Sequence, residues 1–126
     1  MSNVLLSCLL SLPTALIMII CGVWFIKEPP SDINGMIGYK TEMSCKNPDT
    51  WLTAHYICGK FWLVSGIICL ILPPISITVL SGVISGDALF NTALFFTYAD
   101  IAMLIAAIPV TESRLKRIFN KDGSRK

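Results

Sequence analysis

The chain has 126 residues, of which 54% are hydrophobic and only 14% charged, with a formal net charge of +2. A soluble domain carries about 25% charged residues, and a chain this short has too little interior to hide so much apolar surface from water. The composition excludes an ordinary soluble globular protein and points to a single domain that uses lipid as part of its solvent.

Segment 4–26 is uncharged and, at about 1.5 Å per residue, long enough to cross a hydrocarbon core of about 30 Å. No Lys or Arg precedes Lys27, and the run closes on Trp24-Phe25-Ile26-Lys27. That pattern is an interfacial anchor rather than the end of a cleaved secretory signal. Pro13 predicts a kink in mid-span. A second span is expected over 61–83, kinked at Pro73-Pro74, and a third over 88–110, with Asp87 as its N-cap. The short link between these two makes them an antiparallel hairpin.

All 10 Lys and Arg lie in two blocks, 27–60 and 114–126. With three crossings these blocks share one side, and the positive-inside rule makes that side cytoplasmic, with the N-terminus outside. The fold expected is an all-α membrane protein of three transmembrane helices, with an ordered cytoplasmic loop and a basic amphipathic C-terminal segment, in the cell membrane. The 5 cysteines are unevenly spaced and three lie in apolar runs, which does not describe a disulfide framework.

Loop 27–60 is patterned. Lys27-Glu28-Pro29-Pro30 stops the first helix, Asn34-Gly35 is a turn signal, and Asn47-Pro48-Asp49 opens a helix that runs through Lys60 into the second span. Trp51, His55, Cys58 or Gly59, and Trp62 share one face of it. That face is either an aromatic belt at the headgroup level, with Lys60 reaching to water, or a surface that holds a ligand or the preceding loop. Cys45, His55 and Cys58 fall short of the ligand number and spacing of a zinc site, so neither metal nor cofactor is expected.

Asn34-Gly35-Met36-Ile37-Gly38-Tyr39-Lys40-Thr41, then Ser44, Lys46-Asn47, Trp51, Ala54 and Gly59-Lys60, resembles the signature of the SdpI-type family. Thr111-Glu112-Ser113-Arg114-Leu115-Lys116-Arg117 is similar to the end of many members. The resemblance implies a membrane immunity protein against a secreted peptide toxin, with a role in sensing it. It also implies a structural or recognition role for Asn34, Gly38, Tyr39, Lys40 and Thr41. Read without it, Lys40 is a solvated loop charge, or a partner for an anion, a lipid phosphate, Glu42 or Asp49.

Asp100 lies near the centre of the third span, where an ionised carboxylate costs at least about 2.5–3.5 kcal/mol. It is expected to face the bundle, with Ala93, Thr97, Leu104 and Ala107 on its side, as structural glue or as a working group. A new helix start is expected at Thr111. Leu115, Ile118 and Phe119 would then form one side of a basic helix lying on the inner leaflet, with Arg114, Lys116 and Arg117 at lipid headgroups and the last four residues disordered. No phosphate-binding loop, metal motif or activated nucleophile is present as a sequence pattern, so the protein is not expected to be an enzyme.

Three functions remain: binding or sensing of a membrane-active peptide toxin, scaffolding of a cytoplasmic regulator, and ion or proton transport through Asp100. Transport would require a homo-oligomer, because three helices make a narrow conduit. The partners expected are the lipid bilayer and a peptide or regulator, not nucleic acid.

Overall fold

A computed structural model describes residues 3–126 as three helices, α1 (Asn3–Lys27), α2 (Pro48–Leu80) and α3 (Asp87–Ile118). Each is long and apolar enough to cross a membrane, with mean hydropathy of 2.5, 2.4 and 1.9 over its most apolar stretch. The protein is an all-helical, multi-pass membrane protein.

The helices outrun the bilayer on one side. At about 1.5 Å per residue, α2 and α3 (33 and 32 residues) reach roughly 50 Å against a core of about 30 Å. They run antiparallel: Ile77 packs with Leu89 and Ala93 at one end, and Cys58 shares a cluster with Ala107 and Leu115 at the other. The surplus length is therefore the start of α2 beside the end of α3, and there the 28–47 loop is bound.

Small residues decide how α1 meets α2. A Cβ added at Gly22 would lie 2.8 Å from the Gly59 carbonyl oxygen, and one at Gly59 would lie 2.8 Å from that of Gly22. One heptad further on, a Cβ at Gly66 would stand 3.1 Å from the Ala15 carbonyl oxygen. Lipid gives helices no hydrophobic drive to associate, so such close backbone approach supplies the attraction. Hydroxyls facing the membrane are satisfied within their own helix, as where Thr92 donates to the Ala88 carbonyl and Thr97 to that of Ala93.

Four expectations need correction. The helix through Lys60 ends at Leu80 rather than Val83, because backbone bonds from Ser81 to Ile77 and from Gly82 to Val79 tighten it into a turn. Asp87 does not cap α3. The N-cap is Gly86 at φ 58, without a side-chain cap bond, and Asp87 sits in the first turn beside the positive end of the helix dipole. No new helix starts at Thr111, since α3 continues through Pro109 to Ile118. The reason is packing: Ala107, Thr111 and Leu115, spaced by four, are all buried and form one stripe of a single helix. Finally, the last residues are ordered. The chain turns at Gly123 (φ 89), Phe119 pairs with Arg125, and the Lys126 amide donates to the Ile118 carbonyl.

Candidate functional site

The family-like motif folds into a clamp on the loop side of the bundle. Its anchor is the first turn of α2. Asn47 is extended (φ −160), its side chain accepts from the Thr50 amide at 2.9 Å, and the Thr50 hydroxyl accepts from the Asn47 amide at 3.0 Å. This reciprocal cap satisfies two backbone donors, and Pro48 has no amide to lose.

Loop 28–47 then lies along the α2 face that carries Trp51 and His55. The Trp51 indole donates to the Pro30 carbonyl at 2.6 Å, and the Tyr39 amide donates to His55 Nε2 at 2.9 Å. Since Nε2 accepts, the ring proton is on Nδ1, which lies 2.8 Å from the Trp51 carbonyl. Both ring nitrogens are thereby engaged with backbone, and neither is left for an ion. Phe25 of α1 closes the packing edge-on to His55, with ring centroids 4.7 Å apart. The Trp51–His55 part of the α2 face thus holds the preceding loop, whereas Gly59 meets α1 and the Trp62 indole donates to the Leu104 carbonyl of α3 at 3.1 Å.

Gly38 makes that approach feasible. Its φ is 134, and an added Cβ would stand 2.7 Å from Trp51 Cη2 and 2.8 Å from His55 Nε2. No other residue type combines that backbone with that proximity.

The clamp closes on α3. The Tyr39 hydroxyl lies 2.9 Å from Glu112 Oε1 and 3.2 Å from the Ile108 carbonyl; having one proton, it donates to the nearer, charged acceptor. The Thr41 hydroxyl donates to the same Oε1 at 2.6 Å. Burial, and next the hydrogen bond to the Glu112 carboxylate, raise the Tyr39 hydroxyl well above its ordinary pKa, so it stays a donor. Ser44, fully buried, accepts from the Thr41 amide at 2.8 Å and donates to the Tyr39 carbonyl at 2.9 Å, which holds both donors in place.

The C-terminal turn seals the outer edge. The Asn47 side-chain amide donates to the Gly123 carbonyl at 2.8 Å, and Arg125 grips Asp49 with two bonds of 2.7 and 2.8 Å. Leu115 and Phe119 are buried against the protein core rather than laid on lipid.

The remaining predicted residues divide. Lys40 is exposed and donates to the Gly35 carbonyl, not to Glu42 or Asp49; those carboxylates pair with Lys46 and Arg125. Asn34 is exposed in a turn that Asp32 nucleates by accepting its amide at 2.9 Å. Gly59 belongs to the α1–α2 contact. Lys60 is exposed, 5.4 Å from the Tyr56 ring centre, and Arg114, Lys116 and Arg117 are exposed as well. Asp100 stands apart from the clamp, inside the membrane-spanning bundle. It is 2% exposed, lies against the Cys69 thiol, and its Oδ2 has no hydrogen-bond partner among the described residues.

Glu112, Ser44, Gly22, Gly123 and Arg125 were not singled out as site residues by sequence reasoning. For Gly123 a signal existed: Asp122-Gly123 is a turn dipeptide. Glu112 lay within the tail pattern, but nothing local indicates that its partners are more than 70 residues away.

The motif's likeness extends to whole-chain comparison. The model of the SdpI/YfhL protein family matches residues 31–113. The uncharacterized protein YfhL of Bacillus subtilis (strain 168) is 27% identical over 107 residues, covering 85% of this chain and 86% of YfhL. No solved structure matches. The family match takes in the loop from residue 31, the whole of α2 and α3 as far as the Glu112 junction, and the chain belongs to the SdpI/YfhL protein family.

Proposed function

We propose that this protein protects a bacterial cell against a secreted membrane-active peptide, or senses that peptide, by binding rather than by catalysis. The loop and tail face the cytoplasm and the N-terminus lies outside, in keeping with the one-sided placement of Lys and Arg. The observation that carries the reading is the convergence of the Tyr39 and Thr41 hydroxyls on Glu112.

That convergence makes the motif a brace. It locks the start of α2 to the end of α3, so a peptide that perturbs the bundle within the bilayer alters one rigid inner cap. An external toxin and an inner motif are then compatible, because the peptide contacts the helices and the cap reports or resists the change. The buried, backbone-engaged His55 and the buried Cys58 fit a binding role better than a chemical one.

The test is survival of a sensitive strain under a panel of membrane-depolarising peptides, with and without the protein. Glu112→Ala, Lys40→Ala and Asp100→Asn are compared at matched membrane abundance. Protection that Glu112→Ala weakens supports the brace. Full protection from a protein with Glu112→Ala, or no protection by the natural chain against any peptide, overturns the reading.

A second reading, recruitment of a cytoplasmic regulator, rests on the loop tip. Met36 is 99% and Ile37 60% exposed, side by side, on a loop that Trp51, His55 and Glu112 hold at Pro30, Tyr39 and Thr41. The two side chains offer an apolar contact that a partner could cover. Co-purification of a cytoplasmic protein that Met36→Asp abolishes, with peptide resistance unchanged, favours this second reading.

A further inference from the structure

We propose that the groove between α2 and α3 on the loop side is a specific site for one anionic phospholipid, its headgroup held by Lys60 and Arg114 and one acyl chain lying along Val64, Ile68 and Met103.

The groove encloses about 480 Å³ and is lined by residues of both helices. That volume is within the range of small-molecule sites. Its lining is apolar apart from Tyr56, Lys60 and Arg114 toward one end and the buried Ser65 partway along. From Tyr56 to Ile68 on α2, and from Arg114 to Met103 on α3, the walls extend roughly 17 Å along the helices at about 1.5 Å per residue. Half of a bilayer core is about 15 Å. Below Lys60 and Arg114 the walls run roughly 12 Å on α2 and 16 Å on α3, close to one leaflet, with the cations at the headgroup end and Ile68 and Met103 toward the midplane.

The charges are available. The ion pairs among the described residues are Lys46–Glu42 and Arg125–Asp49, so neither Lys60 nor Arg114 has a carboxylate partner. Lys60 rests over the Tyr56 ring, which leaves its ammonium protons free to donate. Two unneutralised cations above an apolar channel complement a phosphodiester above an acyl chain. A neutral zwitterionic lipid would bring a quaternary ammonium to the same place and be disfavoured. Lys116 and Arg117 are also exposed but do not line the groove, so they attract anionic lipid only as a diffuse surface charge.

The experiment is native mass spectrometry of the full chain released from nanodiscs holding equal amounts of phosphatidylglycerol and phosphatidylcholine. The natural protein is expected to retain one phosphatidylglycerol in preference. Lys60→Gln with Arg114→Gln should lower that preference roughly thirtyfold, while Lys116→Gln with Arg117→Gln should leave it within about twofold. Val64→Trp, which fills the channel from an exposed position and keeps both cations, should abolish retention. An unchanged preference in the Lys60/Arg114 pair, an equal loss in the Lys116/Arg117 pair, or full retention with Val64→Trp overturns the site. So does displacement of the lipid by millimolar inorganic phosphate, which would make it a free-anion site.

Discussion

Tyr39 and Glu112, 73 residues apart in sequence, are joined by a 2.9 Å hydrogen bond that ties the loop between the first two helices to the end of the third. Thr41 donates to the same carboxylate oxygen, so one side chain of α3 holds two of the motif's polar residues. The bond explains why a loop rich in polar groups is ordered at a membrane surface: its donors are used up internally.

Removing the acceptor should loosen the whole cap. Hydrogen bonds to a charged partner contribute about 1.5–3 kcal/mol, and Glu112→Ala should destabilise the protein by about that amount. Tyr39→Phe should cost less, because Thr41 still holds the carboxylate. Combining Tyr39→Phe with Glu112→Ala should prove less than additive, since both changes break one bond. Denaturant unfolding in mixed micelles measures this; strict additivity would mean the two residues do not interact.

Gly38→Ala should be more disruptive than its size suggests. The substitution forces a side chain onto φ 134 and drives a Cβ to within 3 Å of Trp51 and His55. Strain of this kind costs about 1–3 kcal/mol before any clash is counted. The loop should detach before the helices separate, freeing the backbone at the already exposed Lys40 and Lys46 for cleavage by trypsin. Unchanged cleavage kinetics in Gly38→Ala would contradict the docking described.

Gly22→Leu and Gly59→Leu should each push α1 off α2. Backbone carbonyl oxygens lie 2.8 Å from both hypothetical Cβ atoms, and backbone cannot move aside as a flexible side chain would. Energy transfer between labels placed on α1 and α2 should fall in either variant. Ile17→Leu, at an exposed position of the same helix, is the control and should keep the two helices together.

Alkaline pH should act through Tyr39. Its folded pKa is raised above the ordinary tyrosine value of about 10, by burial first and by Glu112 second. A group raised in this way contributes stability that is complete below pH 10 and is lost as pH climbs past it. Stability should therefore decline above about pH 10, and Tyr39→Phe should flatten the decline. An equally steep profile in Tyr39→Phe would assign the effect to another group.

Much of this architecture can be read from the residues in order. Three apolar runs, the Asn47-Pro48-Asp49 cap and the face bearing Trp51 and His55 are local patterns with a fixed period, and the structure places each where its chemistry requires. Asp100 is likewise legible, because a carboxyl in an apolar span has to turn inward, and it is buried.

What the sequence by itself determined is therefore the set of helices and the face each one must bury, since hydrophobicity and capping act over a few residues. The tertiary structure decided what those faces meet. Glu112 as acceptor for Tyr39, the Gly123 turn beneath Asn47 and the Gly22–Gly59 crossing all join segments at least 37 positions apart. Such contacts leave no periodic trace along the chain. They exist because two helices longer than the bilayer is thick project together beyond it, and their bare polar ends had to be covered by the nearest loop and tail.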